Sequence, residues 1–205
     1  MKKQSIFLLT ILLGFVLISC EKDDNDTNIS IFPFLKTGNT WTYKMTIDGK
    51  DAPSNVIYNI QSIDDDGYCV IKFTAGNNSH TDYRWYANSD FFADESGSET
   101  DYWFPLFYKN NTIGKKWSSP IEDEDLGTIK REIVSTTENI SVPAGTFSNC
   151  IKIKETFTKD SKIINYYYVS SQAGIIKKES TGWADIDNNP RIYFPVIVEL
   201  KSKNF

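Results

Sequence analysis

From residue 40 onward the chain repeatedly alternates apolar with polar residues one for one, and this period of two is what most limits its fold. In Thr40 to Ile47 the apolar set is Trp41, Tyr43, Met45 and Ile47, and the polar set is Thr40, Thr42, Lys44 and Thr46. Successive side chains of a strand point to opposite faces, so the pattern buries one face and wets the other. A helix would scatter the same residues around its circumference. No stretch after residue 30 keeps the i, i+3, i+4, i+7 stripe that an amphipathic helix needs.

Turn residues cut the alternating runs into strands. Asp48-Gly49 ends the first, and a second from Asn55 to Ile63 meets Asp64-Asp65-Asp66-Gly67 before a third, Tyr68 to Ala75. Thr81 to Ala87 follows, then Phe91-Phe92 and Tyr102 to Tyr108, the last confined to an edge or a bend by Pro105. A polar stretch runs from Asn110 to Gly127. Thr128 to Glu138 resumes the pattern, and Val142-Pro143-Ala144-Gly145-Thr146 reads as a turn into Asn149 to Thr158, which sets Ile151, Ile153 and Phe157 against Lys152, Lys154 and Thr158. Ile163 to Ser170, Ile175 to Glu179 and Ile192 to Lys201 complete the pattern. The chain is expected to be mainly β, a single antiparallel meander of about ten strands curved into an open barrel or split into two packed sheets. A short echo links Thr37-Gly38-Asn39-Thr40-Trp41 with Ile113-Gly114-Lys115-Lys116-Trp117, as if two strands began alike.

The first residues follow different rules. Lys2 and Lys3 precede an apolar run from Ile6 to Ile18, broken by Thr10 and Gly14. As a helix this run reaches about 20 Å, short of the ~30 Å hydrocarbon core of a bilayer, so a secretory signal is the better reading than a permanent span. It ends in Leu17-Ile18-Ser19-Cys20, which resembles the lipobox of bacterial lipoproteins. That resemblance implies cleavage before Cys20, residues 1–19 as signal peptide, and a lipid on the Cys20 thiol. A single acyl chain anchors only marginally, whereas two or three hold durably. Glu21-Lys22-Asp23-Asp24 and the polar residues behind it form a tether over 20–30. Their order resembles a lysine-plus-acidic signal that sends some lipoproteins to the outer leaflet of the outer membrane, which makes Glu21, Lys22, Asp23 and Asp24 candidate export residues; a periplasm-facing placement is the alternative.

Residues 31–205 read as one β-rich domain. Within it, Phe34 to Tyr43, Val142 to Phe147, Tyr166-Tyr167-Tyr168 and Ala173-Gly174-Ile175-Ile176-Lys177 resemble exported β-rich lipoprotein families without assigned chemistry. The implied shape is similar to the curved sheet of lipoprotein carriers, which hold acyl chains on the concave face.

The side chains available restrict chemistry more than they suggest it. Of 205 residues one is histidine, His80, expected at the surface beside an asparagine loop; this excludes a pair of histidine ligands on zinc and leaves little room for a Ser-His-Asp triad. No nucleotide or nucleophile-elbow motif occurs. Asp185-Ile186-Asp187-Asn188-Asn189 begins like a calcium loop, but Pro190 replaces the turn glycine and Val196 stands where the closing acid belongs, so a polar hairpin loop is expected. Cys69 shares a strand face with Ile71 and Phe73, while Cys150 shares one with Lys152 and Lys154, so strict alternation argues against a disulfide unless a bulge intervenes.

No metal or cofactor is called for beyond the covalent lipid. The sequence carries 22 basic and 27 acidic residues, and losing residues 1–19 removes Lys2 and Lys3 only, which excludes a basic nucleic-acid footprint. Trp85, Tyr86, Tyr102, Trp103 and Trp183 are the candidate aromatic binding surface, although adjacent strand residues must face opposite ways. The expected function is a non-enzymatic module at the outer membrane, held by its lipid, that binds a glycan, an apolar ligand or an envelope protein. A structural accessory subunit is the second reading, and a carboxylate-based glycan hydrolase the third.

Overall fold

The computed structural model describes residues 32–94, 103–120, 125–184 and 191–205. Cys20, Glu21 to Asp24, Tyr102 and the Asp185 to Asn189 loop therefore lie outside the described residues. Among the described residues there are thirteen strands: β1 (Thr40–Ile47), β2 (Lys50–Asp51), β3 (Val56–Ile63), β4 (Tyr68–Ala75), β5 (Asn78–Ala87), β6 (Phe91–Asp94), β7 (Phe107–Tyr108), β8 (Lys116–Pro120), β9 (Thr128–Val142), β10 (Gly145–Phe157), β11 (Ile164–Ser170), β12 (Gly174–Ala184) and β13 (Ile192–Lys203). No helix occurs among the described residues.

All strands belong to one antiparallel sheet in the order β7-β6-β5-β4-β3-β1-β13-β12-β11-β10-β9-β8, with β2 paired to β1 at the side. Of the two expected architectures, the single curled sheet is the one formed. The edges β7 and β8 are consecutive in the chain, joined by residues 109–115, so the sheet must curl until its ends face each other. They meet through side chains. Trp117 of β8 donates its indole N–H to the Pro105 carbonyl at 2.7 Å, and Arg131 of β9 donates Nη1–H to the same oxygen at 2.7 Å. No ladder joins β7 to β8, so the barrel stays open at this seam.

The echo seen in the sequence marks equivalent places. Gly38 N–H bonds Ile60 O and Ile60 N–H bonds Asn39 O; Gly114 N–H bonds Ile133 O and Ile133 N–H bonds Lys115 O. Both glycines hold a left-handed backbone, φ +89° and +85°, which a side chain would strain. Trp41 and Trp117 follow at the same spacing and pair with Tyr58 and Arg131. The sheet is thus two similar six-strand meanders, β1 with β3–β7 and β8–β13, joined at β1 and β13.

The concave face is filled. Trp41, Ile60, Ile71, Phe92, Ile133, Ile153, Ile176 and Leu200 are fully buried there, and Phe32 and Phe34 insert from the segment before β1. The β9–β10 tip folds over the same core, with Ala144 N–H bonded to Leu200 O and Ile140, Val142 and Phe147 packed on the cluster. The acyl-chain cavity implied by the carrier resemblance is therefore occupied by the protein's own side chains.

One detail of alternation is corrected by the geometry. The β9–β10 register shifts around Cys150, beside Asn149 with φ +56°, and this bulge turns the Cys150 side chain into the core instead of beside Lys152. Cys69 and Cys150 are both buried and free. Tyr166 and Tyr168 share the outer face with Lys152, whose ammonium sits 4.6 and 5.1 Å from their ring centres. Lys152 thus keeps the outward place that alternation gives it, packed against these two rings.

Candidate functional site

The aromatic residues singled out from the sequence separate by strand parity. Trp85 faces inward, 4% exposed, against Trp41 and Phe92. Tyr86 faces outward and pairs across the ladder with Tyr68. Trp183 is exposed at the far end of β12, with the Arg191 guanidinium 5.6 Å from its ring. Of the five candidates the structure brings together Tyr86 and Trp103, and it adds partners that the sequence reading did not name.

Tyr68, Tyr86, Trp103, Phe91 and Tyr108 form a ribbon on the convex face, and Trp117, packed on the core side of β8 beside Arg131, meets its end edge-on at the open seam. Tyr86 lies 5.0 Å from Tyr68, 5.6 Å from Trp103 and 5.6 Å from Phe91; Phe91 lies 6.2 Å from Tyr108, and Tyr108 5.2 Å from Trp117 across the seam. All six residues are half-buried. Lys115 holds its ammonium 3.3 Å over the Tyr108 ring. The planes meet at 25° for Tyr86 with Trp103 but at 54°, 65° and 90° along the rest of the row. Such edge-to-face contacts let rings pack on one another. They do not make the flat platform on which successive sugar rings would stack.

The ribbon comes from a pattern of single outward positions on neighbouring strands: the first residue of β4 and of β6, the next-to-last of β5, and the last of β7. Parity reveals each one separately, but their adjacency depends on register, which the sequence does not display.

The convex face of the second meander has a different chemistry. Lys177 pairs with Glu179 at 2.9 Å and with Glu199 at 3.6 Å, and the Tyr168 hydroxyl donates to Glu179 at 3.0 Å. Burial works against the Glu179 carboxylate, but Lys177 and Tyr168 more than offset it and hold its pKa below the ordinary value. An open groove of about 440 Å³ runs beside Tyr166, Thr181, Tyr193 and Pro195, and another of about 330 Å³ lies among Lys116, Lys130, Glu132 and Lys154. Both grooves are open and partly polar, unlike the enclosed apolar pockets typical of small-molecule sites.

One ionic cluster was missed by the sequence reading. Arg131 and Glu155 face each other across β9 and β10 inside the sheet, 7% and 3% exposed. Arg131 donates Nε–H at 2.7 Å and Nη2–H at 2.6 Å to Glu155 Oε2, while Asn165 donates at 2.8 Å and the Tyr167 hydroxyl at 3.3 Å to Oε1. Phe104 covers the guanidinium at 4.2 Å. Burial disfavours the Glu155 anion, yet Arg131, Lys178 and Asn165 outweigh that cost and lower its pKa. Every strong acceptor direction of this carboxylate is engaged, so it ties strands together.

The remaining reactive groups are muted. Burial pushes the Cys69 thiol up to about 12 and raises that of Cys150. His80 is exposed, with Nε2 3.5 Å from Asp82. Among the described residues no group of three or more His, Cys, Asp or Glu stands ready to hold a metal ion.

With this geometry, the fold is similar to that of a candidate exported protein with a YmcC-like fold from Bacteroides fragilis NCTC 9343, with TM-score 0.52, 15% identity and coverage of 83% of this chain and 97% of that one. A candidate lipoprotein from Parabacteroides distasonis ATCC 8503 gives TM-score 0.46 and 16% identity, covering 82% and 96%. No family model and no curated protein matches the sequence. At 15% identity the first of these likenesses shows a shared fold.

Proposed function

We propose that this chain is a non-enzymatic lipoprotein of the outer membrane, anchored through lipid on Cys20, that uses its aromatic ribbon as a contact surface. The ribbon carries this reading: five half-buried rings in an unbroken row on the convex face, met by Trp117 at the seam, are an unusual apolar surface for an otherwise acidic protein. The Leu17-Ile18-Ser19-Cys20 lipobox and the Glu21 to Asp24 order support lipid anchoring and export to the surface. A non-catalytic role is supported by the commitment of Glu155 to Arg131 and by the burial of both domain thiols.

The accessory-subunit reading shares this surface, because rings packed edge to face suit a broad contact better than a sugar chain. Hydroxyl-radical footprinting tests the contact itself. Tyr86, Trp103 and Tyr108 are expected to label less on intact cells than in the purified protein, while Trp183 labels alike in both. Equal labelling of the ribbon in the two settings would remove it as a contact surface.

A further inference from the structure

Strand direction places the ribbon at one end of the molecule. From β1 through β13, β12, β11, β10 and β9 to β8, every neighbouring pair is antiparallel. Six reversals leave β1 and β8 running the same way, so both begin at the same rim. By the same count β4 and β6 begin at this rim and β5 and β7 end there. Tyr68, Tyr86, Phe91, Tyr108 and Trp117 each lie within two residues of that end of their strands. The ribbon is therefore a belt along one rim.

Three further features share the rim. The chain reaches it from the amino-terminal side: Phe32 packs 5.5 Å from Phe107 and 6.2 Å from Phe92, on the strands whose outward neighbours are Tyr108 and Phe91. Only residues 20–31 separate that point from Cys20, a reach of at most about 40 Å. The β7–β8 loop presents Ile113, 61% exposed and the most exposed of the large apolar residues described. Lys109, Lys115 and Lys116 flank it in sequence. Asp64, Asp65 and Asp66 stand before β4, and the acids near the seam are Asp90 before β6 and Glu132, 3.6 Å from Lys116, so the three lysines outnumber the acids there and the seam is the more basic part.

Resting on the ribbon as a contact surface, we propose that its partner is the bilayer that holds the anchor, with the belt at headgroup depth, Ile113 inserted and Lys109, Lys115 and Lys116 against lipid phosphates. Tyrosine and tryptophan favour this depth because each joins an apolar ring to a polar tip, and lysines beside an anionic surface add attraction that salt weakens. A mixture of ring angles is no handicap against a fluid surface. The far rim, with the exposed Trp183 and Ile192, then points away from the membrane.

The test uses the mature chain, residues 20–205, carrying Cys20→Ser so that no lipid contributes, and sedimentation with vesicles of phosphatidylethanolamine and phosphatidylglycerol. The protein is expected to partition onto the vesicles and to be released by salt. Ile113→Asp with Lys115→Glu should lower the partition coefficient by roughly ten-fold or more, with unchanged melting, and Trp183→Ser at the far rim should leave it unchanged. Failure of the parent chain to sediment above background, or equal binding by the seam variant, would overturn the membrane assignment. If the ribbon were still protected on cells in that case, the contact surface would stand and its partner would be a protein or glycan.

Discussion

Glu155 and Arg131 illustrate what a single position can and cannot announce. Parity already puts Glu155 between Ile153 and Phe157 on the inward face of β10, and Arg131 between Ile129 and Ile133 on β9. A charge at an inward position is the signal that the sequence reading passed over. What parity lacks is the partner, since the register that sets Arg131 opposite Glu155 is a property of two strands. Removing one member leaves the other buried and unpaired, so Glu155→Ala should cost about 3–5 kcal/mol in urea unfolding. Arg131→Met with Glu155→Met should be more stable than either single change. The Glu155 pKa is lowered in the fold, so its contribution is complete above the unfolded glutamate value and drains as pH falls through the lower, folded one. Wild type should therefore lose stability relative to the double variant on acidification below about pH 4. A flat difference across that range would mean that Glu155 is not charged in the fold.

At the scale of elements, most strands were legible because alternation survives wherever a half-buried strand is regular. Two departures had physical causes. β8 was hidden in a polar stretch because Lys116-Trp117-Ser118-Ser119-Pro120 offers one apolar ring and a proline, and it becomes a strand by pairing with the long β9. The Cys150 face was misassigned because a bulge adds a residue to the count, and period two cannot foresee it. The Gly38 and Gly114 echo was visible but brief; shared hydrogen bonds give it meaning. The seam beside β8 depends on few contacts, so Trp117→Phe, which keeps the ring but deletes the N–H bonded to Pro105 O, should destabilise by about 1 kcal/mol. Amide exchange should quicken at Tyr108 and in β8 before it does in β1 or β13. Exchange unchanged at those strands would show that the seam is held elsewhere.

The described part of the molecule is a sheet curled around its own side chains, with one rim bearing the aromatic belt, the basic seam and Phe32. Its curled β class was legible in the sequence, as were Tyr86 and Trp103 of the belt; the belt as a unit was not, because the adjacency of its rings depends on the register between successive strands. The functional account depends on a lipid at Cys20, which fixes both the compartment and the rim that faces the membrane. The most direct measurement is metabolic labelling with a radiolabelled fatty acid in cells expressing the wild-type chain or Cys20→Ser. The account predicts label on the wild-type protein alone, with the Cys20→Ser chain unlabelled and still carrying residues 1–19. A wild-type protein without label, or a Cys20→Ser protein that retains it, would contradict the account.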